Sequence, residues 1–369
     1  MRFTVSTKPL KNATNLGIIK ANISKFYYRS SLVQLTATRD TLKINIEAAG
    51  IKTRMVLHGS GDSDVPCCIL VECAKFKTLL DSIENDILSL EFLEDSLCIH
   101  AGTSKFVIPQ MIDSDDMRLD EPIDEYAAGE VSTIKPANWQ FIKDHQLFAI
   151  ATKEEHPVYT NVWVGKDRTV IVGDMDLSLF TFSKKGDFGT SCLFPTSLVN
   201  LFASIPDGST VTKLGRSYVL NISTDSYTLV TEFTPKYEDD EAVGSYNSEI
   251  ILSKATHPRN FITVDVGPII KFLSQTALFR VTDLDKVLEF SVAAGELTLK
   301  NKSNVYSMNI IGTESYSLKF NADLLKGVLT NFDSDKINIA PMPGENGTTV
   351  GCIFWTDNLT VILAGASVQ

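Results

Sequence analysis

Three stretches of the chain repeat one pattern, a short helix running into a strand, and any fold must satisfy all three at once. They read FKTLLDSIENDILSLEF from Phe76, LVNLFASIPDGSTVTKL from Leu198 and LKGVLTNFDSDKINIA from Leu325. Apolar residues fall at offsets 0, 3, 4 and 7 in each: Phe76, Leu79, Leu80, Ile83; Leu198, Leu201, Phe202, Ile205; Leu325, Val328, Leu329, Phe332. At 3.6 residues per turn these positions make one apolar stripe. A polar turn closes each stripe before a strand-like run: Glu84-Asn85-Asp86, Pro206-Asp207-Gly208 and Asp333-Ser334-Asp335. The context repeats too. RFTVS at 2, EVSTIK at 130 and NFITVD at 260 read as opening strands, followed by Pro9, Pro136 and Pro268 near the first helical position, where a missing N–H is harmless. A period of roughly 125 residues means repeated domains, not a solenoid.

Between the helices, alternation is clear in TLKINIE (41–47), RTVIVG (168–173) and ELTLKNK (296–302). Strands dominate and helices come in pairs, an α+β pattern of antiparallel sheets backed by few helices and not the βαβα alternation of a doubly wound fold. Acidic runs at 113–125 and 236–245 read as solvated linkers, which sets expected domains of 1–125, 126–250 and 251–369. Hydrophobic content of 44% and charged content of 21% are those of a globular chain with ample core. No apolar run reaches membrane-spanning length and MRFTVSTKPLK lacks the apolar core of a secretory signal, so a cytoplasmic protein without membrane contact is expected.

Catalytic signatures are poor. No Gly-rich phosphate loop, H-E-x-x-H or G-x-S-x-G occurs, and the five histidines are scattered. The six cysteines form no C-x-x-C pair, and the spacing of His58 with Cys67, Cys68 and Cys73 fits no common zinc finger. Asp174 and Asp176 could share one side of a strand and hold a divalent metal, which keeps a metal-dependent nucleic-acid enzyme open as an alternative. A non-DNA adaptor of similar build is the other. Neither a metal nor a cofactor is expected.

The basic residues are more informative. A net charge of −11 argues against coating nucleic acid with the whole surface, yet leaves room for a local basic face. Lys11, Asn15, Asn22 and Lys25 superimpose on one helical face. Lys143 and Lys271 each follow an isoleucine early in the first helices of the later repeats, and Lys77 and Lys326 share one offset in the second helices.

Several stretches, in this order, carry a family resemblance: MRFTVSTKPLK at the start, SKFVIP at 104, and NWQFIKDHQLFAIATKEEHPVYTNVWVGKDRTVIVGDMDLSLFTFS from 138. FPTSLVNLFASIPDGSTVTKLGRSYVLNISTDSYTLVTEF and YSLKFNADLLKGVLTNFDSDKINI continue it through the second and third repeats. The chain resembles the bacterial-type DNA polymerase sliding clamp, the β processivity subunit, as a divergent or phage-encoded member. The resemblance covers nearly the full length. It implies a clamp fold of three similar domains, two chains joined head to tail in a ring, helices lining the hole and sheets forming the rim. It implies a non-enzymatic protein that tethers the polymerase to double-stranded DNA through phosphate contacts without sequence information, by Lys11, Lys25, Arg29, Lys77, Lys143, Tyr159, Lys271 and Lys326. It also implies a pocket for short peptide motifs of polymerase and clamp loader, here Thr160, Met175, Leu177, Leu179, Val243, Val361, Ile362 and Leu363. The homodimer contact falls on Phe106 and Ile108 of an edge strand, covered by Leu278 and Phe279 of the other chain. Two segments depart from the family: GDMDLSLF stands where members carry T-D-G-H-R-L, and LTVILAGASVQ where they end near M-P-M-R-L.

Overall fold

The computed structural model describes residues 1–17, 32–48, 51–111, 119, 122, 131–151, 159–187, 191–214, 217–233, 255–279, 286–302, 304–312, 314–344 and 348–365. Six α-helices occur among them: α1 (Thr7–Gly17), α2 (Cys73–Ser82), α3 (Pro136–His145), α4 (Thr196–Ser204), α5 (Val266–Ala277) and α6 (Ala322–Thr330). The repeated stripes lie on and just beyond α2, α4 and α6. All their apolar residues are buried except Leu79, which is half-buried. A buried Phe or Leu side chain contributes about 1.5 to 3 kcal/mol relative to an exposed one, so each stripe holds its helix to the sheet below. Pro136 opens α3, and Pro9 and Pro268 sit third in α1 and α5, inside the first turn where no intrahelical N–H is lost.

The strands repeat with the helices. Each opening strand pairs antiparallel with the strand after the second helix: Arg2–Ser6 with Ile87–Phe92, Val131–Thr133 with Thr210–Leu214, and Ile262–Asp265 with Lys336–Pro343. The same backbone closure recurs at each helix entry. Thr7 N–H donates to Asp86 C=O at 2.9 Å, Ile134 N–H to Ser209 C=O at 3.0 Å, and Val266 N–H to Asp335 C=O at 2.8 Å. In the first and third repeats the last carbonyl of the polar turn satisfies the first N–H of the first helix, and in the second Ser209, just past the turn, does the same for Ile134, two residues before α3.

The chain divides into two compact units, Met1–Pro136 with Asn200–Pro235, and Ala137–Val199 with Lys236–Gln369, so that α4 carries it from the second back into the first. The expected boundaries near 125 and 250 lie outside the described residues. In the first unit a five-stranded sheet runs Ser60–Gly61, Arg2–Ser6, Ile87–Phe92, Ser96–Ala101, Ser104–Pro109. Its eight-stranded companion runs Val131–Thr133, Thr210–Leu214, Ser217–Ser223, Tyr227–Phe233, Ile51–His58, Thr41–Ala48, Leu32–Ala37, Cys67–Glu72. Half of that sheet comes from the first repeat and half from the second. The seam between Ile51–His58 and Tyr227–Phe233 is sealed by Thr53 and Thr231, whose buried hydroxyls meet at 3.2 Å.

The second unit is built the same way. An eight-stranded sheet runs Cys192–Pro195, Asn161–Val164, Val170–Asp174, Leu179–Ser183, Thr360–Ala364, Thr349–Trp355, Lys336–Pro343, Ile262–Asp265, joining the second repeat to the third between Leu179–Ser183 and Thr360–Ala364. A four-stranded sheet runs Asn304–Asn309, Glu296–Asn301, Val287–Ala293, Tyr316–Asn321. The eight-stranded sheet is covered on both faces. Trp139 of α3 meets Phe194 edge-on at 6.1 Å on one face. On the other, Tyr159, Trp163, Ile171, Phe180, Phe182 and Ile362 belong to one buried cluster. Burial on both sides explains why Val170–Asp174 is buried at every position and lacks alternation.

Candidate functional site

Three surfaces bear on function: the helix pairs, a hairpin beside the last strand, and two open sheet edges. The first helix pair carries Lys8, Lys11, Lys75 and Lys77. Lys11 Nζ donates to Asp81 C=O at 3.3 Å and, more closely, to Ile83 C=O. Lys77 Nζ bridges Asn15 Oδ1 and Asp81 Oδ2, both at 2.6 Å. These two lysines brace α1 against α2. Lys75 pairs with Glu72 at 2.7 Å, while Lys8 is exposed and has no partner among the described residues. Lys8 lies three residues before Lys11, a spacing that puts both on one helical side and could have been read from the sequence.

Lys143 and Lys271 are exposed and Lys326 is half-buried, and none of them is bonded to a described side chain. Tyr159 sits elsewhere. It is buried in the apolar cluster, its ring 6.2 Å from that of Phe180, and is not grouped with the helix lysines. Lys25 and Arg29 lie outside the described residues.

The hairpin Val170–Asp174 to Leu179–Ser183 is closed by its own side chain. Asp174 Oδ1 accepts the backbone N–H of Asp176 at 2.9 Å and of Leu177 at 3.2 Å, and Ser178 takes a positive φ of 45°. Asp174 is therefore committed to holding the turn. Among the described residues no group of three or more His, Cys, Asp or Glu could hold a metal ion. The turn lifts Met175 and Leu177 into solvent, each 44% exposed. Gly173 is required beneath them, because a Cβ there would stand 2.1 Å from the Phe180 ring. Ser178 C=O accepts from Ala364 N–H at 3.2 Å, and Gly365 N–H donates to Val350 C=O at 2.8 Å, which brings exposed Val350 to the same end of the sheet.

Strand alternation divides the other expected pocket residues. Ile362 stands opposite Phe180 on the cluster face, whereas Leu179 opposite Leu363, and Thr181 opposite Val361, face the helix side. Thr160 is half-buried at the start of the strand after Tyr159, and Val243 lies outside the described residues. The structure thus groups Met175, Leu177 and Ile362 at one sheet end and sets Leu179, Val361 and Leu363 behind them. His257 stacks on Trp355 at 4.8 Å on the cluster face, its Nε2 2.8 Å from Thr360 Oγ1, and burial pushes its pKa down.

Two of the strands that end a sheet are Ser104–Pro109 and Asn304–Asn309. On the first, Phe106 is half-buried, Ile108 buried and Val107 56% exposed. Beside it, on the neighbouring strands, Glu91 accepts from His100 at 2.9 Å and from Arg2 at 3.0 and 3.1 Å. His100, then Arg2, hold its carboxyl below the usual range. On the second edge Val305 is 58% exposed, and Tyr306 stacks under Phe272 of α5 at 5.6 Å. Leu278 and Phe279, just past α5, are 81% and 71% exposed.

Over its whole length the chain has the sliding-clamp fold, that of DNA polymerase III β subunits. It superimposes on the β subunit of Thermotoga maritima with a TM-score of 0.79 at 15% identity, and on a putative β subunit of Eubacterium rectale with 0.78 at 13%. A Helicobacter pylori β clamp bound to a DNA ligase peptide gives 0.69 at 13%, and in all three comparisons both chains are fully covered. No protein-family model and no curated protein matches the sequence.

Proposed function

We propose that this chain is a DNA sliding clamp: two copies close head to tail around duplex DNA and tether the replicative polymerase for processive synthesis. The observation that carries the reading is the fold match along all of both chains; the threefold recurrence of one backbone closure supports reading the chain as three clamp domains, 1–125, 126–250 and 251–369. Such a protein works by topology and catalyses no reaction of its own. Among the described residues of the helix pairs, Lys143, Lys271 and Lys326, with Lys8, are cations free to meet phosphate, and sequence-independent contacts of this kind suit a protein that slides. Lys11 and Lys77 remain in the contact set as braced groups that reach phosphate through water.

The hairpin end with Met175, Leu177 and Ile362 is the proposed seat for an extended peptide of polymerase or loader carrying one or two large apolar anchors. The ligase peptide on the Helicobacter pylori clamp supports a peptide site on a protein of this fold. Phe106, Ile108, Leu278 and Phe279 are the proposed dimer contact. No helix among the described residues is long and apolar enough to cross a membrane, and the proposed location is the cytoplasm. The test is retention on DNA. The protein, loaded on nicked circular DNA, should stay through a high-salt wash and run off once the circle is linearised. Equal loss from circles and linears would sink the encircling reading.

A further inference from the structure

We propose that the peptide seat selects a cationic motif: an extended segment with Lys or Arg set beside its apolar anchors, held by the carboxylate of Asp176. This rests on the seat proposed above and goes further, to the charge of the partner it takes.

The turn itself separates the two aspartates. Met175 to Ser178 join the paired strands Val170–Asp174 and Leu179–Ser183, and all of them are exposed. Asp174 holds the turn. Its Oδ1 accepts the N–H groups of Asp176 and Leu177 at 2.9 and 3.2 Å, and Ser178 N–H closes on Met175 C=O at 3.1 Å. Asp174 is buried, whereas Asp176 stands in solvent. Of Asp176 the turn uses the backbone N–H, which any residue except proline supplies. Closure of the hairpin therefore does not dictate a carboxylate at that position.

Its neighbours are apolar. Asp176 falls between Met175 and Leu177, each 44% exposed, and Val350 at the same sheet end is 42% exposed. Leu179–Ser183 pairs with Thr360–Ala364, and that strand with Thr349–Trp355. Residues 170–183, 349–355 and 360–365 together carry no charged residue other than Asp174 and Asp176. One exposed charge thus interrupts an apolar rim.

Binding turns that placement into a rule. A peptide that covers Met175 and Leu177 must also crowd Asp176 between them and strip part of its water. A carboxylate that loses water without gaining a counter-charge costs affinity. Lys or Arg on the incoming segment replaces the lost water with a charge-assisted hydrogen bond, while Asp or Glu in the same place meets like charge. The net charge of −11 attracts cations to the whole molecule. Asp176 ties the preference to this seat.

Selection of a displayed library of random ten-residue peptides on the full-length protein tests the rule. The binders should carry large apolar anchors with Lys or Arg within two positions of them. Met175→Ser with Leu177→Ser, which alters exposed side chains and should leave melting unchanged, should weaken them about tenfold. Replacing the Lys or Arg of a selected peptide by Glu should weaken binding about fivefold at low salt and less at high salt. Asp176→Lys should reverse that preference. Binders with Asp or Glu beside their anchors, or a penalty for Glu that Asp176→Lys leaves unchanged, would overturn the charge rule and leave the seat standing. Binders indifferent to the Met175 and Leu177 substitutions, or a library that yields none, would overturn seat and rule together.

Discussion

The helix pairs of the first and third repeats hold the same position in the same topology, yet their lysines are used differently. Lys77 and Lys326 both follow the first residue of the apolar stripe. Lys77 finds Asp81 four residues on and Asn15 on α1, and becomes a brace. Four residues after Lys326 stands Thr330, whose hydroxyl turns back to the Lys326 carbonyl and offers the ammonium nothing. A charge on a helix is available to a ligand only if its neighbours leave it so. Equivalent positions in a repeat therefore share a fold without sharing a duty.

That contrast can be broken most sharply by charge reversal. Changing Lys143, Lys271 and Lys326 together to Glu removes three unbraced cations. With about 0.9 lost per phosphate contact, the slope of log K against log salt should flatten by about 2.7, while melting stays unchanged. An unchanged slope would mean that these lysines are surface decoration. Changing Lys11 and Lys77 to Met should do the reverse, costing about 1 to 2 kcal/mol of stability because the charged hydrogen bonds are half-exposed and worth less than buried ones. The slope should move by less than in the triple variant, and urea melts beside salt titrations read both effects. The smallest expected difference lies at the helix starts. Asn321 Oδ1 accepts from Asp323 N–H at 2.9 Å and Leu324 N–H at 3.3 Å, whereas Glu72 before α2 makes no side-chain cap. Asn321→Ala should cost about 1 kcal/mol, and Glu72→Asn should gain about half that, both measured by chemical denaturation.

The stripes were legible in the sequence because helical periodicity and a closing turn are local facts, and nearly all of those side chains are buried as expected. The local pair Lys77–Asp81 could be read at i,i+4, but the bracing of α1 against α2 could not, since Lys11 reaches Ile83 C=O and Lys77 reaches Asn15 across separations of 72 and 62 residues. Alternation tells which side of a strand faces the core but not which strand lies beside it, so the sharing of a sheet between repeats was hidden. The last strand teaches a different lesson. Val361, Ile362 and Leu363 are consecutive in a strand, and a period of two already forbids all three from lining one pocket. Only Ile362 joins the cluster face, and the exposed rim comes from the hairpin that Asp174 closes.

The seam sealed by Thr53 and Thr231 also sets a schedule for synthesis. The two residues are 178 apart in the chain. At about 5 to 20 residues per second, the strand Ile51–His58 leaves the ribosome roughly 10 to 40 seconds before its neighbour exists. Throughout that interval the growing chain carries an unpaired edge of alternating apolar residues, and an edge of that kind accepts any strand that fits. The strand that fits best is Tyr227–Phe233, and on a crowded polysome the first copy of it to arrive can belong to the chain ahead. Slow translation between residues 60 and 230 should therefore favour chains interlocked through this seam, a dimer of a different kind from the proposed ring.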